Sequence, residues 1–132
     1  MNDRREETWF SWVSRLQALY FVVTGVWPCL EIRSFQKISG PKTDIWLVKT
    51  VGVLVGVIGG VIGVAGMRRR ITPEIAGLAV GSSAGLAAID IFYSGRGRIS
   101  RIYLLDALVE VLFIVAWGVG LRRKRRDART GA

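Results

Sequence analysis

Four stretches of the chain are apolar for long enough to cross a bilayer: about Trp9 to Pro28, Ile45 to Met67, Pro73 to Tyr93 and Ile102 to Leu121. A helix rises 1.5 Å per residue, so about 20 residues cover the hydrocarbon. Each stretch is near that length. The pattern predicts an all-α fold, a four-transmembrane-helix bundle forming one integral membrane domain over residues 1–132, with residues 122–132 as a basic tail. Arg15 interrupts the first stretch, but it lies within about two turns of the start and can extend its head to the lipid head groups. Trp9, Phe10 and Trp12 are then placed as an interfacial belt.

Turn and cap residues punctuate the same boundaries. Pro28 closes the first span, Gly40-Pro41 turns the following loop, and Thr43 or Asp44 caps the second. Thr72-Pro73-Glu74 supplies a cap, a proline at the first helical position and a first-turn acid for the third. Ser94-Gly95 ends that helix and Ser100 caps the fourth. No small-residue cleavage site follows the first span, so it is expected to stay as an anchor.

Glycines set the expected packing. The second span carries Gly52, Gly56 and Gly60 at intervals of four, with Gly59, Gly63 and Gly66 on a neighbouring ridge, and the third carries Gly77, Gly81 and Gly85. Small residues at this spacing let backbones approach closely, which is how helices associate where lipid removes the hydrophobic driving force. With only Arg68 to Thr72 between them, the two spans are expected to form an antiparallel glycine-packed hairpin. The alternative is that one ridge serves self-association.

Composition narrows the function classes. With 51% apolar side chains and 16 glycines, the chain has the makeup of packed membrane helices. The formal charge of +9 does not point to nucleic acid, because the basic groups cluster at the ends of apolar runs rather than on one face beside groove-reading elements. They fit membrane topology and contact with anionic lipids as partners. Cys29 is the only cysteine and there is no histidine, which excludes an intrachain disulfide, a histidine general base and the usual histidine-bearing metal sites. No metal or cofactor is expected. Eleven basic residues (Arg4, Arg5, Arg68, Arg69, Arg70 and six from Arg122 to Arg129) fall on one side, against six (Arg33, Lys37, Lys42, Arg96, Arg98 and Arg101) on the other. Both termini are therefore expected in the cytoplasm.

The candidate chemistry lies inside the spans. Asp106 and Glu110 are four residues apart in the fourth, hence on one helical face, and a carboxylate at that depth costs about 2.5–3.5 kcal/mol by insertion scales unless it meets a partner or water. Asp90 and Lys49 lie at similar depth in the third and second spans, and Lys49 extends the glycine ridge toward the third, so Lys49 and Asp90 are expected to pair. One lysine cannot neutralise three carboxylates, so the cluster is expected to hold a proton or attract a cation. Gln17, Tyr20, Thr24, Trp27 and Glu31 form a stripe on the first span, and Tyr103, Asp106, Glu110, Phe113 and Trp117 form its counterpart on the fourth. Both are expected to face the interior. Tyr20, Trp27 and Trp46 are candidate aromatic walls for a ligand, although ordinary packing accounts for most aromatics at helical spacing.

The segment from Trp27-Pro28 to Gly52, WPCLEIRSFQKISGPKTDIWLVKTVG, resembles a family of small, uncharacterised bacterial four-helix membrane proteins with the pattern W-P, R-S-F and T-G-P-K-T-D-x-W-L-V-x-T-V-G. That family often has His where this chain has Glu31. The resemblance implies a bacterial inner-membrane location and no particular activity. In architecture alone the expected bundle is also similar to the EXPERA fold of sterol isomerases, whose four helices hold paired acids against an amphipathic amine or sterol. No residue is carried over from that likeness.

Three functions are compatible with these features. The first is a protein that binds, or helps to move, a small amphipathic or cationic molecule in an acidic pocket in the outer half of the bundle. The second is a structural or accessory subunit that docks through glycine faces to another copy or to a partner membrane protein. The third is an intramembrane enzyme, isomerase-like, using a protonated and an ionised carboxylate as an acid/base pair, with no catalytic residue assignable. The glycines do not follow a nucleotide-binding pattern, so no energy-driven role is expected.

Overall fold

The computed structural model describes residues 2–39, 44–97 and 101–131. The described residues are built from five helices: α1 (Asn2–Leu30), α2 (Ile32–Ser39), α3 (Ile45–Met67), α4 (Pro73–Gly95) and α5 (Ile102–Thr130). Four of these, α1, α3, α4 and α5, are long and apolar enough to cross a membrane. Helices satisfy every backbone polar group within one segment, which the hydrocarbon of a bilayer demands.

Burial supports the membrane reading. Gln17, Ser14 and Ser83 are fully buried, whereas Leu19, Val57, Leu105 and Leu112 are all more than half exposed. Polar groups inside and large aliphatic groups outside is the arrangement that lipid favours and water does not. The chain is a small multi-pass membrane protein by this criterion.

The boundaries differ from expectation in three places. Pro28 does not close the first helix, because α1 continues to Leu30 with the proline in its last turn. A proline that near the end removes little of the bonding ladder, and the Glu31 N–H still donates to the Trp27 carbonyl at 2.9 Å. Second, the segment after Glu31 is the short amphipathic helix α2 rather than loop, started by the Phe35 N–H donating to the Glu31 carbonyl at 3.3 Å. Trp27 anchors it, donating from Nε1 to Ser34 Oγ at 2.8 Å and meeting the Phe35 ring edge-on at 5.6 Å. Third, α5 runs nine residues past Leu121, so the basic tail is helical. Its arginines and alanine favour helix and suit the negative end of the dipole, until Gly131 stops it in the left-handed region at φ 67°.

Caps follow the sequence unevenly. Thr72 accepts a bond from the Ile75 N–H at 3.3 Å ahead of Pro73, as expected. Asp44 makes no side-chain capping bond. The proposed Gly40-Pro41 turn and the caps at Thr43 and Ser100 lie outside the described residues.

Packing overturns the expected glycine hairpin. Gly52 and the ridge of Gly59, Gly63 and Gly66 close against α1, Gly60 has open space beside it, and α3 and α4 touch little despite their short connection. At the seam, a Cβ on Gly25 would stand 2.8 Å from the backbone nitrogen of Gly56, and one on Gly59 would stand 2.7 Å from Phe21 Cβ. Gly77, Gly81 and Gly85 have open space beside them. The reason lies in α4 itself: its buried positions are Ala76, Ala79, Ser83, Ala87 and Asp90, and the glycines project from the other face. Ser83 and Asp90 cannot be turned to lipid, so the polar face wins the interior.

Two close pairs thus make the bundle, α1 with α3 and α4 with α5. They meet over Phe10, Val13, Ile62, Ala76, Ala79 and Trp117. The expected aromatic belt divides here: Phe10 is buried and stacks on Trp117 at 5.5 Å, Trp9 donates to the Ala116 carbonyl at 2.9 Å, and only Trp12 faces outward. Ser11 donates to the Gly66 carbonyl at 2.9 Å. These contacts gather the start of α1, the α3–α4 turn and the emerging end of α5 at one end of the bundle.

Candidate functional site

The interior of the bundle is polar in two successive layers. In the first, Gln17 of α1 donates from Nε2 to the Ala79 carbonyl and to Ser83 Oγ, both at 3.0 Å, and accepts from Trp117 Nε1 at 2.6 Å. Three helices therefore meet in one amide. Gln17, Ser83 and Trp117 are fully buried, and the amide has partners on both its nitrogen and its oxygen.

The second layer is acidic. Ser83, which accepts from Gln17, turns its hydroxyl to the Glu110 carboxylate one layer on. Tyr20 donates its hydroxyl to Asp106, and its ring lies 5.9 Å from that of Phe113. The Asp90 carboxyl is within hydrogen-bonding reach of Asp106 and also near Glu110. Three carboxyl groups from α4 and α5 and a phenol from α1 thus share one site. The two interior stripes expected on the first and last spans do meet, at Gln17–Trp117, Tyr20–Asp106 and Tyr20–Phe113.

Satisfaction separates the two layers. Glu110 is 1% exposed and Asp90 6% exposed, yet among the described residues Oε2 of the first and Oδ2 of the second have no hydrogen-bond partner. Among the described residues, the groups acting on these acids are one another, Tyr20 and Ser83, and none is a lysine or arginine. Asp106 and Tyr20 are half-buried, so the layer reaches the surface through them.

Three of the expected site residues lie elsewhere. Lys49 does not join Asp90, because its helix packs on α1 instead of α4 and leaves the lysine exposed. Its carbonyl accepts from Cys29 Sγ at 3.4 Å, which ties this part of α3 to α1. Trp46 is 67% exposed, and Trp27 is occupied with α2. Asp106, Glu110, Asp90 and Tyr20 are the residues brought together. Ser83 was not singled out by sequence, although its spacing of seven from Asp90 places both on one helical face.

No protein-family model matches the chain, and neither a curated protein nor a solved structure matches it.

Proposed function

We propose that the acidic layer binds a small cationic or amphipathic molecule, with Asp90, Asp106 and Glu110 as counter-charge and Tyr20 as the polar wall. The observation that carries this reading is the pair of buried carboxylate oxygens, on Glu110 and Asp90, that have no hydrogen-bond partner among the described residues, in a site where those residues bring acids together and no basic side chain. A network serving only to fix helix register has no need of them, as the adjoining Gln17 layer illustrates by pairing its amide at both ends. A bound cation supplies the missing partner and offsets the repulsion among the carboxylates. The basic asymmetry adds the orientation, with both termini cytoplasmic and the acidic layer toward the outer side, and the resemblance of the Trp27 to Gly52 segment adds the inner membrane of a bacterial cell.

Equilibrium dialysis of the detergent-solubilised protein against tetraphenylphosphonium tests the reading. Glu110→Gln and Asp90→Asn are expected to weaken binding about tenfold or more while helix content is kept, since each removes a desolvated charge partner. Lys49→Ala is expected to leave it unchanged. Binding that is indifferent to both acid substitutions would return the layer to a structural role.

A second reading has its own support. The face of α4 with Gly77, Gly81 and Gly85 is open and unpacked, which suits docking of another membrane helix by an accessory subunit.

A further inference from the structure

A second polar site lies at the opposite end of the bundle, where α5 leaves the membrane beside the start of α1. A cavity of about 410 Å³ opens there between Arg5, Glu6 and Trp9 of α1 and Gly120, Arg123, Arg126 and Asp127 of α5. Its floor is shaped by the absence of a side chain: a Cβ on Gly120 would stand 2.7 Å from Phe10 Cε1 and 2.8 Å from Trp9 Cδ1. Trp9 forms a wall, fixed by its bond to the Ala116 carbonyl and covered by the Arg123 guanidinium 5.5 Å from the ring centroid.

We propose that this cleft binds the phosphodiester of an anionic phospholipid head group. Three arginines against two acids leave the lining with one excess positive charge, which matches the single negative charge of a phosphodiester. Arginine forks pair with phosphate oxygens through two parallel bonds, and the Arg123 guanidinium over the Trp9 indole is within reach of a phosphate in the cleft. Height selects a lipid over a free ion. Gly120 is the next-to-last residue of the apolar run and Trp9 the first of its own, so the cleft sits at the hydrocarbon boundary, where tryptophan is favoured and lipid phosphates lie. Leu121 beside it is exposed and apolar, suited to the start of an acyl chain.

The test is native mass spectrometry of the full chain released from bilayers of equal phosphatidylglycerol and phosphatidylcholine. The wild type is expected to retain phosphatidylglycerol preferentially, and the double variant Arg123→Gln/Arg126→Gln to lose about tenfold of that preference. Arg122→Gln/Arg129→Gln removes equal charge from the same helix outside the cleft and is expected to keep it. Equal losses in the two double variants would show unlocalised charge attraction and overturn the proposal. Displacement of the lipid by millimolar inorganic phosphate would assign the cleft to free phosphate and overturn the lipid as its occupant. Arg123→Lys, which keeps the charge and removes the fork, is expected to give an intermediate loss.

Discussion

Gln17 joins α1 to both α4 and α5 through one side-chain amide. Gln17→Leu fills the same space but leaves the Ser83 hydroxyl, the Ala79 carbonyl and the Trp117 N–H without that partner. A loss of about 2 kcal/mol is expected in reversible unfolding from detergent micelles, given about 0.6–2 kcal/mol for each interhelical bond in membranes. Thr24→Val is the control: Thr24 bonds to the Tyr20 and Phe21 carbonyls of its own helix, so the change should cost under about 0.5 kcal/mol. At this scale the sequence was informative about angle along one helix. Spacing put Asp106 and Glu110 on one face and Gln17 and Tyr20 on another, and those faces meet. It was uninformative about angle between helices. Lys49 shares the depth of Asp90, but depth fixes height and leaves direction around the bundle open, and Lys49 lies on another side.

Among the elements, glycine spacing announced close approach without naming the partner. Gly52, Gly59, Gly63 and Gly66 of α3 do pack tightly, but against Gly25, Phe21, Ala18 and Ser14 of α1. Helix α1 reads as polar and aromatic, and only its small residues at Ser11, Ser14, Ala18 and Gly25 reveal a groove. Gly59→Leu and Gly25→Leu are therefore expected to destabilise the protein by about 2 kcal/mol or more, through overpacking. Gly81→Leu is expected to be neutral or slightly stabilising, since the position is open and leucine is the better helix former. Thermal unfolding of the three variants in one detergent checks the ranking. Equal destabilisation at Gly81 would mean that α4 is packed there after all. Helix α2 escaped the sequence reading because it has eight residues and no cap signal, and the α5 extension did so because a basic run reads as solvated tail whether or not it is helical.

For the whole molecule, the end that gathers the start of α1, the α3–α4 turn and the α5 extension carries most of the positive charge. With Cys29 replaced by Ser, cysteines placed at Lys37 and Arg96 are expected to react with an impermeant maleimide on intact cells, and one at Thr130 only after permeabilisation. The reverse pattern would invert the orientation. The bundle as a class was legible from four apolar runs of spanning length; its pairing was not, because chain order favours neighbours while the polar faces decide contacts. That pairing also imposes an order in time. The partners of the Gln17 amide lie 62, 66 and 100 residues further along the chain. A ribosome adding about 5–20 residues per second exposes the first span to the insertion machinery for about 5–20 seconds before Trp117 exists. Ser11 lacks its acceptor until Gly66 is made, and Gln17 lacks a full set of partners until Ala79, Ser83 and finally Trp117 follow. The first helix to be made is thus the last to be completed, and its retention during synthesis depends on water, lipid head groups or a chaperone until the final helix arrives.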